Sequence, residues 1–402
     1  MRRQTLCFIS SFLCFKMFLA LIQQAAPRAA DARWVEVPDS FYYPKSGAAV
    51  VYDEKNERLV MFGGAITVND VRGDLSFGPL YVSNQMLAFK NGSWSMLNRY
   101  NDLSVISPRN CALFTWDPTA KRMIVAGGDA GYLLLGDVWS FDGQAVQKLF
   151  EDETTRANRW GSLFHNSHLN KVCLLGMDGK VYALQSGGWV SLNGTPPAGW
   201  GGGAGRMAAF KASFSPSSKN LVVFGGQEDA IGPVSLFDTT YVYNAATNSW
   251  SRPEPAVHPN ARAWHTMTYS PERGRHVLVG GFRDGVGALA DAWEFNDANN
   301  AWSQLSIENP IAMYGSVLVR DAKQGALLVL GGESGGHWAD CIYELRYIAP
   351  ASVPDFTLYS RLGPSRGGSA GPEKDGMSGE IEPRFSSAPA TGHAAHLAEY
   401  NR

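Results

Sequence analysis

Short apolar runs recur through the middle of the chain, and most of them end in a pair of glycines. The runs at 58–64 (RLVMFGG) and 220–226 (NLVVFGG) are rich in the β-branched and aromatic residues that favour strands. The doublets start 64, 98, 55 and 51 residues apart. The long interval is close to two units, and 171–176 supplies the strand of a copy in which Met177 replaces the second glycine. The pattern predicts six copies of one unit. The doublets are Gly63-Gly64, Gly127-Gly128, Gly225-Gly226, Gly280-Gly281 and Gly331-Gly332.

Three further features surround the doublet strand. A strand and a tight turn precede it, and Asp117-Pro118 and Ser270-Pro271 have the chemistry of type I turns. An aromatic strand follows, as at 137–141 (DVWSF) and 291–295 (DAWEF). A fourth strand then carries a tryptophan, which copy two lacks. Each copy therefore predicts four antiparallel strands. The fourth-strand tryptophans are Trp94, Trp189, Trp250 and Trp302.

This order of strand, turn, glycine-doublet strand, aromatic strand and tryptophan strand resembles the kelch repeat. The resemblance implies that each unit of about 50 residues forms one propeller blade. Residues 34–348 divide into six such units, so we expect an all-β fold, a six-bladed kelch-type propeller. The sixth copy ends after its third strand, while an unassigned strand at 34–37 precedes the first copy. We therefore expect the N-terminal strand to close the last blade, which removes free sheet edges.

The two ends differ in character from the repeats. Residues 1–32 are typical of a signal peptide, with Arg2 and Arg3 before an apolar stretch at 6–22 and a small-x-small cleavage site ending at Ala32. An uncleaved anchor is the alternative. The domain prediction is a signal peptide at 1–32, a propeller at 33–348 and a disordered tail rich in Gly, Pro, Ser and Ala at 349–402. The expected location is secreted or periplasmic, with no stable membrane span after cleavage.

Composition excludes several classes of protein. The chain has 402 residues, and 35 Lys and Arg balance 37 Asp and Glu. This balance argues against a nucleic-acid binder, which normally shows a basic face. The three cysteines beyond the signal segment, at 111, 173 and 341, are no disulfide framework. We expect a monomeric propeller without cofactor or metal.

Strand alternation predicts where a ligand would bind. The 2–3 loops and the inter-blade 4–1 loops must share one face, and they carry the longer insertions. Long loops on a rigid scaffold are the usual place for binding. The kelch resemblance implies the same face. We therefore expect the site on this face, at the mouth of the central channel.

Four arginines stand at equivalent places near the start of the innermost strands, with Lys45 at that place in copy one. They predict a cationic ring that binds an anionic ligand, because guanidinium groups form paired hydrogen bonds with carboxylates. The alternative is that each arginine bonds loop carbonyls or the acids just past the doublets, namely Asp129, Glu228, Asp229, Asp284 and Glu333. Trp200, in a glycine-rich loop, is expected to be an exposed contact. The arginines are Arg109, Arg159, Arg206 and Arg262.

These observations favour binding over catalysis. The main hypothesis is an exported kelch propeller that recognises a glycan or protein ligand, with Arg109, Arg159, Arg206, Arg262, Trp200 and Glu333 as ligand-binding residues. The alternative is an enzyme similar to a sugar-acid isomerase or mutarotase, with its pocket at the channel mouth. Its candidate active-site residues would be Glu333, Arg206 and Arg262. A purely structural role is a third possibility. Fold resemblance alone does not choose among them.

Overall fold

The computed structural model describes ten segments of the chain. They are 31–38, 47–67, 80–97, 106–130, 133–158, 160–192, 195–229, 235–334, 337–338 and 342–348. The predicted tail at 349–402 lies outside these residues, as does the predicted signal segment apart from Asp31 and Ala32. Within the described part, no helix is long and apolar enough to cross a membrane.

Six sheets form the blades, each with four antiparallel strands; the strands follow chain order in blades 1–5, and the N-terminal strand takes the fourth place in blade 6. The first strands are Ala49–Asp53, Leu113–Asp117, Ser162–Asn166, Lys211–Ser215, Thr266–Ser270 and Val317–Arg320. The second strands are Arg58–Phe62, Arg122–Ala126, Lys171–Leu175, Asn220–Phe224, Arg275–Val279 and Leu327–Leu330. The third strands are Met86–Lys90, Asp137–Phe141, Val181–Gln185, Thr240–Asn244, Ala292–Asn296 and Tyr343–Tyr347. The fourth strands are Ser93–Met96, Val146–Glu151, Gly188–Ser191, Ser249–Ser251, Ala301–Leu305 and, for blade 6, Ala32–Glu36.

The first strands line the centre of the ring. Each contacts the first strands of both neighbouring blades, and the first strand of blade 6 contacts that of blade 1. The ring is therefore closed, and the predicted six-bladed propeller is confirmed.

Closure joins the two ends of the repeat region. The strand Ala32–Glu36 pairs antiparallel with Tyr343–Tyr347, and Trp34 lies opposite Leu345. A short strand, Ile307–Glu308, adds in parallel to its outer edge. The prediction that the N-terminal strand completes the last blade is confirmed.

The glycine doublets are required by the backbone. In blade 2 both Gly127 and Gly128 have positive φ, at 58° and 85°. A Cβ on Gly128 would lie 2.6 Å from the carbonyl oxygen of Asn110 in the loop that enters the same blade. Only glycine allows this conformation and this close approach together.

Fourth-strand tryptophans hold neighbouring blades together. The Trp302 ring of blade 5 packs against Phe224 of blade 4, and its Nε1 donates a hydrogen bond of 2.9 Å to Oγ1 of Thr240. The indole of Trp189 in blade 3 likewise donates 2.9 Å to Oγ1 of Thr155. Thr155 lies on the helix Glu153–Ala157, which follows blade 2. These contacts join blade 5 to blade 4, and blade 3 to the helix that follows blade 2.

Smaller elements decorate one face of the ring. Four hairpins and one strand pair lie in or beside the loops after the doublets, and a 3₁₀ turn spans Gly202–Ala204. The hairpins are Ala65–Thr67 with Leu80–Val82, Asp129–Ala130 with Leu133–Leu134, Phe282–Arg283 with Gly287–Ala288, and Glu333–Ser334 with His337–Trp338. The strand pair is Met207–Ala208 with Gln227–Glu228.

Candidate functional site

The 2–3 loops and the 4–1 loops meet on one face, as predicted, and we call it the loop face. A residue just before the first strand of a blade pairs with the loop that follows the glycine doublet of the same blade. Asn110 bridges to Asp129 in this way, and Ala263 bridges to Phe282. Among the described residues, blades 2, 4, 5 and 6 therefore present a joined pair of loops on this face.

Arg109 and Arg262 occupy equivalent buried positions in blades 2 and 5. The guanidinium of Arg109 makes two parallel bonds to Asp137, at 2.6 and 2.8 Å, and a third of 2.9 Å to the carbonyl of Gly127. Arg262 repeats the arrangement with Asp291, again at 2.6 and 2.8 Å, and with the carbonyl of Gly280. Both arginines are fully buried.

Each arginine clamps the two ends of a loop. In blade 2 the loop begins at Gly127 and ends at Asp137, and Arg109 bonds both. Trp139 adds a hydrogen bond from Nε1 to the Asp137 carboxylate at 2.6 Å. Burial alone would raise the pKa of Asp137, but the hydrogen bonds and charge of Arg109 bring the pKa below its ordinary value. The carboxylate is thus held in its charged form at the base of the loop.

This geometry corrects the expected roles of Arg109 and Arg262. Their guanidinium groups face Asp137 and Asp291, which begin the third strands, and not the acids just past the doublets. Because they are buried within the blade, they do not form an open ring at the channel mouth. The spacing of Arg109 to the Asp-x-Trp motif at 137–139, and of Arg262 to that at 291–293, was the available signal.

The register of blade 4 also differs from the expectation. Cys111, Ala209 and Trp264 share a positive φ two residues after the clamp position, so Met207 stands where blades 2 and 5 have arginine. Arg206 is one residue earlier. Its Nε donates 3.1 Å to Asp229, an acid past the doublet as expected, and its Nη2 donates to the carbonyl of Ala157. Lys45 and Arg159 lie outside the described residues.

Trp200 is buried, which contradicts its expected exposure. Its ring packs against Phe210, Tyr241 and Trp250 at 5.3–5.8 Å, and its Nε1 donates 2.7 Å to the carbonyl of Met177. The glycine-rich loop folds back over blades 3 and 4 and supplies core. Glycine content alone did not reveal this packing.

Glu333 is also buried, in the loop after the doublet of blade 6. It accepts a hydrogen bond from the Tyr314 hydroxyl, and burial with this contact raises the pKa of Tyr314. The structure places Glu333 in blade 6, Arg262 in blade 5 and Arg206 in blade 4, each with its own internal partners.

Lys211 is the cation that sequence reasoning missed. It begins the first strand of blade 4, is half-buried, and makes no ion pair or hydrogen bond within the described residues. Desolvation lowers the pKa of Lys211. The charge of Lys211 acts on the Cys111 thiol of blade 2 and on the imidazole of His265 of blade 5. Burial raises the pKa of Cys111 to about 12. Lys211 is therefore close enough to act on residues of blades 2 and 5, which face each other across the ring.

Aliphatic side chains project from the loop face. Leu133, at the tip of the blade 2 hairpin, is 64% exposed, and Val286, at the tip of the blade 5 hairpin, is 61% exposed. Val257, in the loop between blades 4 and 5, is 60% exposed. These aliphatic side chains are exposed singly, each at its own loop.

Ser213, His276 and Asp297 come together although the sequence gives no sign of it. The Ser213 hydroxyl lies 2.5 Å from His276 Nδ1, and His276 Nε2 lies 3.6 Å from the Asp297 carboxylate. All three are buried between blades 4 and 5. A nucleophile must be reachable by its substrate, so this arrangement serves as a polar contact between blades.

A groove of about 610 Å³ lies between blades 2 and 3 on the opposite face. Its wall includes Asp117, Arg122, Lys171 and Gln185. Sequence reasoning placed no site there. Within the described residues no group of three or more His, Cys, Asp or Glu side chains is arranged to hold a metal ion.

Comparison with known families identifies three of the blades. The family model of the KLHDC2/KLHL20/DRC7 kelch-repeats domain matches residues 211–350. The matched stretch begins with the first strand of blade 4 and runs past the third strand of blade 6. No curated protein matches the chain significantly.

Proposed function

The chain belongs to the kelch-repeat β-propeller family, and from this we propose an exported, monomeric binding protein that recognises a protein ligand through its loop face. Kelch propellers commonly bind proteins. For this protein we specify the binding surface as the loop face, the ligand as a protein, and the location as outside the cytoplasm. Each has its own support.

The clamped hairpins of blades 2 and 5 carry the proposal. Arg109 and Arg262 fix the bases of two loops whose tips expose Leu133 and Val286. A loop that is already ordered loses little conformational entropy when a partner binds. The two apolar tips flank the channel mouth from opposite sides. They would contact a partner that lies across the mouth.

Two cations support an anionic group on the ligand. Lys211, at the start of an innermost strand, has no acidic partner among the described residues. The Arg206 side chain keeps 32% of its surface exposed although it contacts Asp229. A carboxylate of the ligand would gain a charge-assisted hydrogen bond from Lys211 and would relieve the cost of its desolvation.

We favour a protein ligand over a glycan. Sugar rings stack on exposed aromatic platforms, but Trp200 lies in the core and Trp160 packs edge-on against Trp264 at 5.9 Å. Among the described side chains, the large exposed apolar ones are aliphatic. No observation specifically favours the isomerase, so we do not propose it.

Export rests on the signal-like segment at 1–32, and the proposed location is secreted or periplasmic. Among the described residues, Cys111 and Cys173 are free thiols, and Cys173 is wholly buried. The exported protein would keep both of them unpaired. Fractionation of cells that express the full chain, followed by detection of the propeller, tests the location.

The binding proposal is tested with matched variants. The double variant Leu133→Asp with Val286→Asp changes the loop face, and Leu169→Asp with Val190→Asp changes exposed residues elsewhere on blade 3. Proteins from the source organism that bind the purified propeller are quantified by mass spectrometry. We expect the first pair to reduce capture of the specific partner at least tenfold and the second to leave it unchanged. Equal capture by all forms would contradict the loop-face proposal.

A further inference from the structure

Asp31 is part of the closing blade. Its N–H donates 2.7 Å to the carbonyl of Ser306, and its carboxylate accepts 2.8 Å from the Ser306 N–H. Its own carbonyl accepts 2.9 Å from the N–H of Ile348. Asp31 thus joins the end of the third strand of blade 6 to the chain that leaves blade 5.

Ala32 is held as firmly. It is fully buried, begins the closing strand, and packs in a cluster that contains Leu305 and Leu345. It lies opposite Tyr347 on one side and Ile307 on the other. The peptide bond after Ala32 is therefore inside a strand with neighbours on both edges.

The small-x-small motif at 30–32 would place the signal cut directly after Ala32. That cut removes both residues and puts the new ammonium group of Arg33 at the start of a shortened strand. The main-chain groups of Ser306 and Ile348 would lose hydrogen bonds, and the fully buried side chain of Ala32 would leave the core cluster. Both losses weaken the closing blade.

We propose that Asp31 and Ala32 belong to the mature propeller, and that the export signal is removed on the N-terminal side of Asp31. The alanine-rich stretch at 25–30 offers small residues there. This inference rests on the proposed export. Once the ring has closed, the bond between Ala32 and Arg33 is protected from proteases by its strand pairing.

The first experiment is intact-mass analysis and N-terminal sequencing of the full chain after export from an expressing cell. We expect the first residue to be Asp31 or one that precedes it. A first residue of Arg33 overturns this inference and leaves export standing. An exported chain that keeps Met1 overturns cleavage of the signal, and the stability comparison then decides alone whether Asp31 and Ala32 are needed.

The second experiment compares purified chains that begin at Asp31 and at Arg33, made by removing a tag without residual residues. We expect the shorter chain to have a folding equilibrium constant at least tenfold smaller in denaturant titration. The variant Asp31→Ala in the longer chain should fall between the two, because it loses the carboxylate bond to Ser306 and keeps the main-chain bonds. Equal stability of the two chains would overturn the inference.

Discussion

Arg109 and Asp137 form a paired ion bridge within blade 2, with Nη1–Oδ1 at 2.6 Å and Nη2–Oδ2 at 2.8 Å. Blade 5 repeats the bridge with Arg262 and Asp291. In blade 4 the arginine position is occupied by Met207 and the aspartate position by Thr239. The second equivalence follows from the main chain: the N–H of Gly225 donates to the carbonyl of Thr239, as the N–H of Gly127 donates to that of Asp137. Arginine and aspartate are therefore present together or absent together in these three blades, which identifies them as one structural unit.

Arg109→Met should destabilise the propeller by about 3–5 kcal/mol, because it leaves the Asp137 carboxylate buried without its cation. The double variant Arg109→Met with Asp137→Thr copies blade 4 and should recover most of that loss. Denaturant titration of both variants checks the prediction. A double variant as unstable as the single one would show that the clamp acts through something other than the ion pair.

His265 predicts a loss of stability toward acid. Burial, Arg262 and Lys211 hold the pKa of His265 well below its ordinary value. The unfolded chain gains a proton near pH 6.5 and the folded chain does not, so stability falls as the pH drops below that value, by about 1.4 kcal/mol per pH unit. The variant His265→Leu should lack this part of the slope between pH 6.5 and 5. Parallel stability curves for wild type and variant would contradict the prediction.

Lys211→Met should leave the propeller as stable as the wild type or stabilise it by about 1 kcal/mol, because it removes a desolvated cation without a partner among the described residues. The same variant should weaken binding of an anionic protein ligand about tenfold. Thermal unfolding and a binding titration give the two values. The variant Lys219→Met, on the turn after the same strand, is the matched control. A marked loss of stability would show instead a structural role for Lys211.

Ser213→Ala should cost about 1–3 kcal/mol, because it leaves Nδ1 of the buried His276 without its hydrogen-bond partner between blades 4 and 5. Since the Ser213 hydroxyl is buried, a phosphonate reagent that labels reactive serines should not modify it in the folded protein. Mass spectrometry of the treated propeller provides the test. Stoichiometric labelling at Ser213 would reopen the question of catalysis.

The sequence reveals the ring better than the site. Glycine doublets and fourth-strand tryptophans recur because every blade needs the same turn and the same contact with its neighbour, so the blade number and the closing strand were readable. The role of Arg109 was harder to infer, because its partner is 28 residues away and the only sequence signal is its spacing to the Asp-x-Trp motif. The prediction for Arg206 was wrong for a simpler reason. Arg206 lies one residue before Met207, which is the residue equivalent to Arg109 and Arg262.

The surroundings of Lys211 and Trp200 could not be predicted from the sequence. A lysine that starts a strand is usually solvated, and only the ring places this one near the axis. Trp200 sits in a loop whose composition is typical of exposed chain, and only its packing on Tyr241 and Trp250 makes it core. Both depend on contacts between distant segments, which a local pattern does not encode.

The pairing of Trp34 with Leu345 also sets an order of events in time. The first strand has no partner until the segment around Ser306, 275 residues after Asp31, has left the ribosome, and the strand that contains Leu345 follows later still. Contacts this distant in sequence form slowly. A nascent chain of this design stays incomplete until synthesis is nearly finished. Such a delay would let a translocation machinery receive the polypeptide while it is still threadable, before the ring locks.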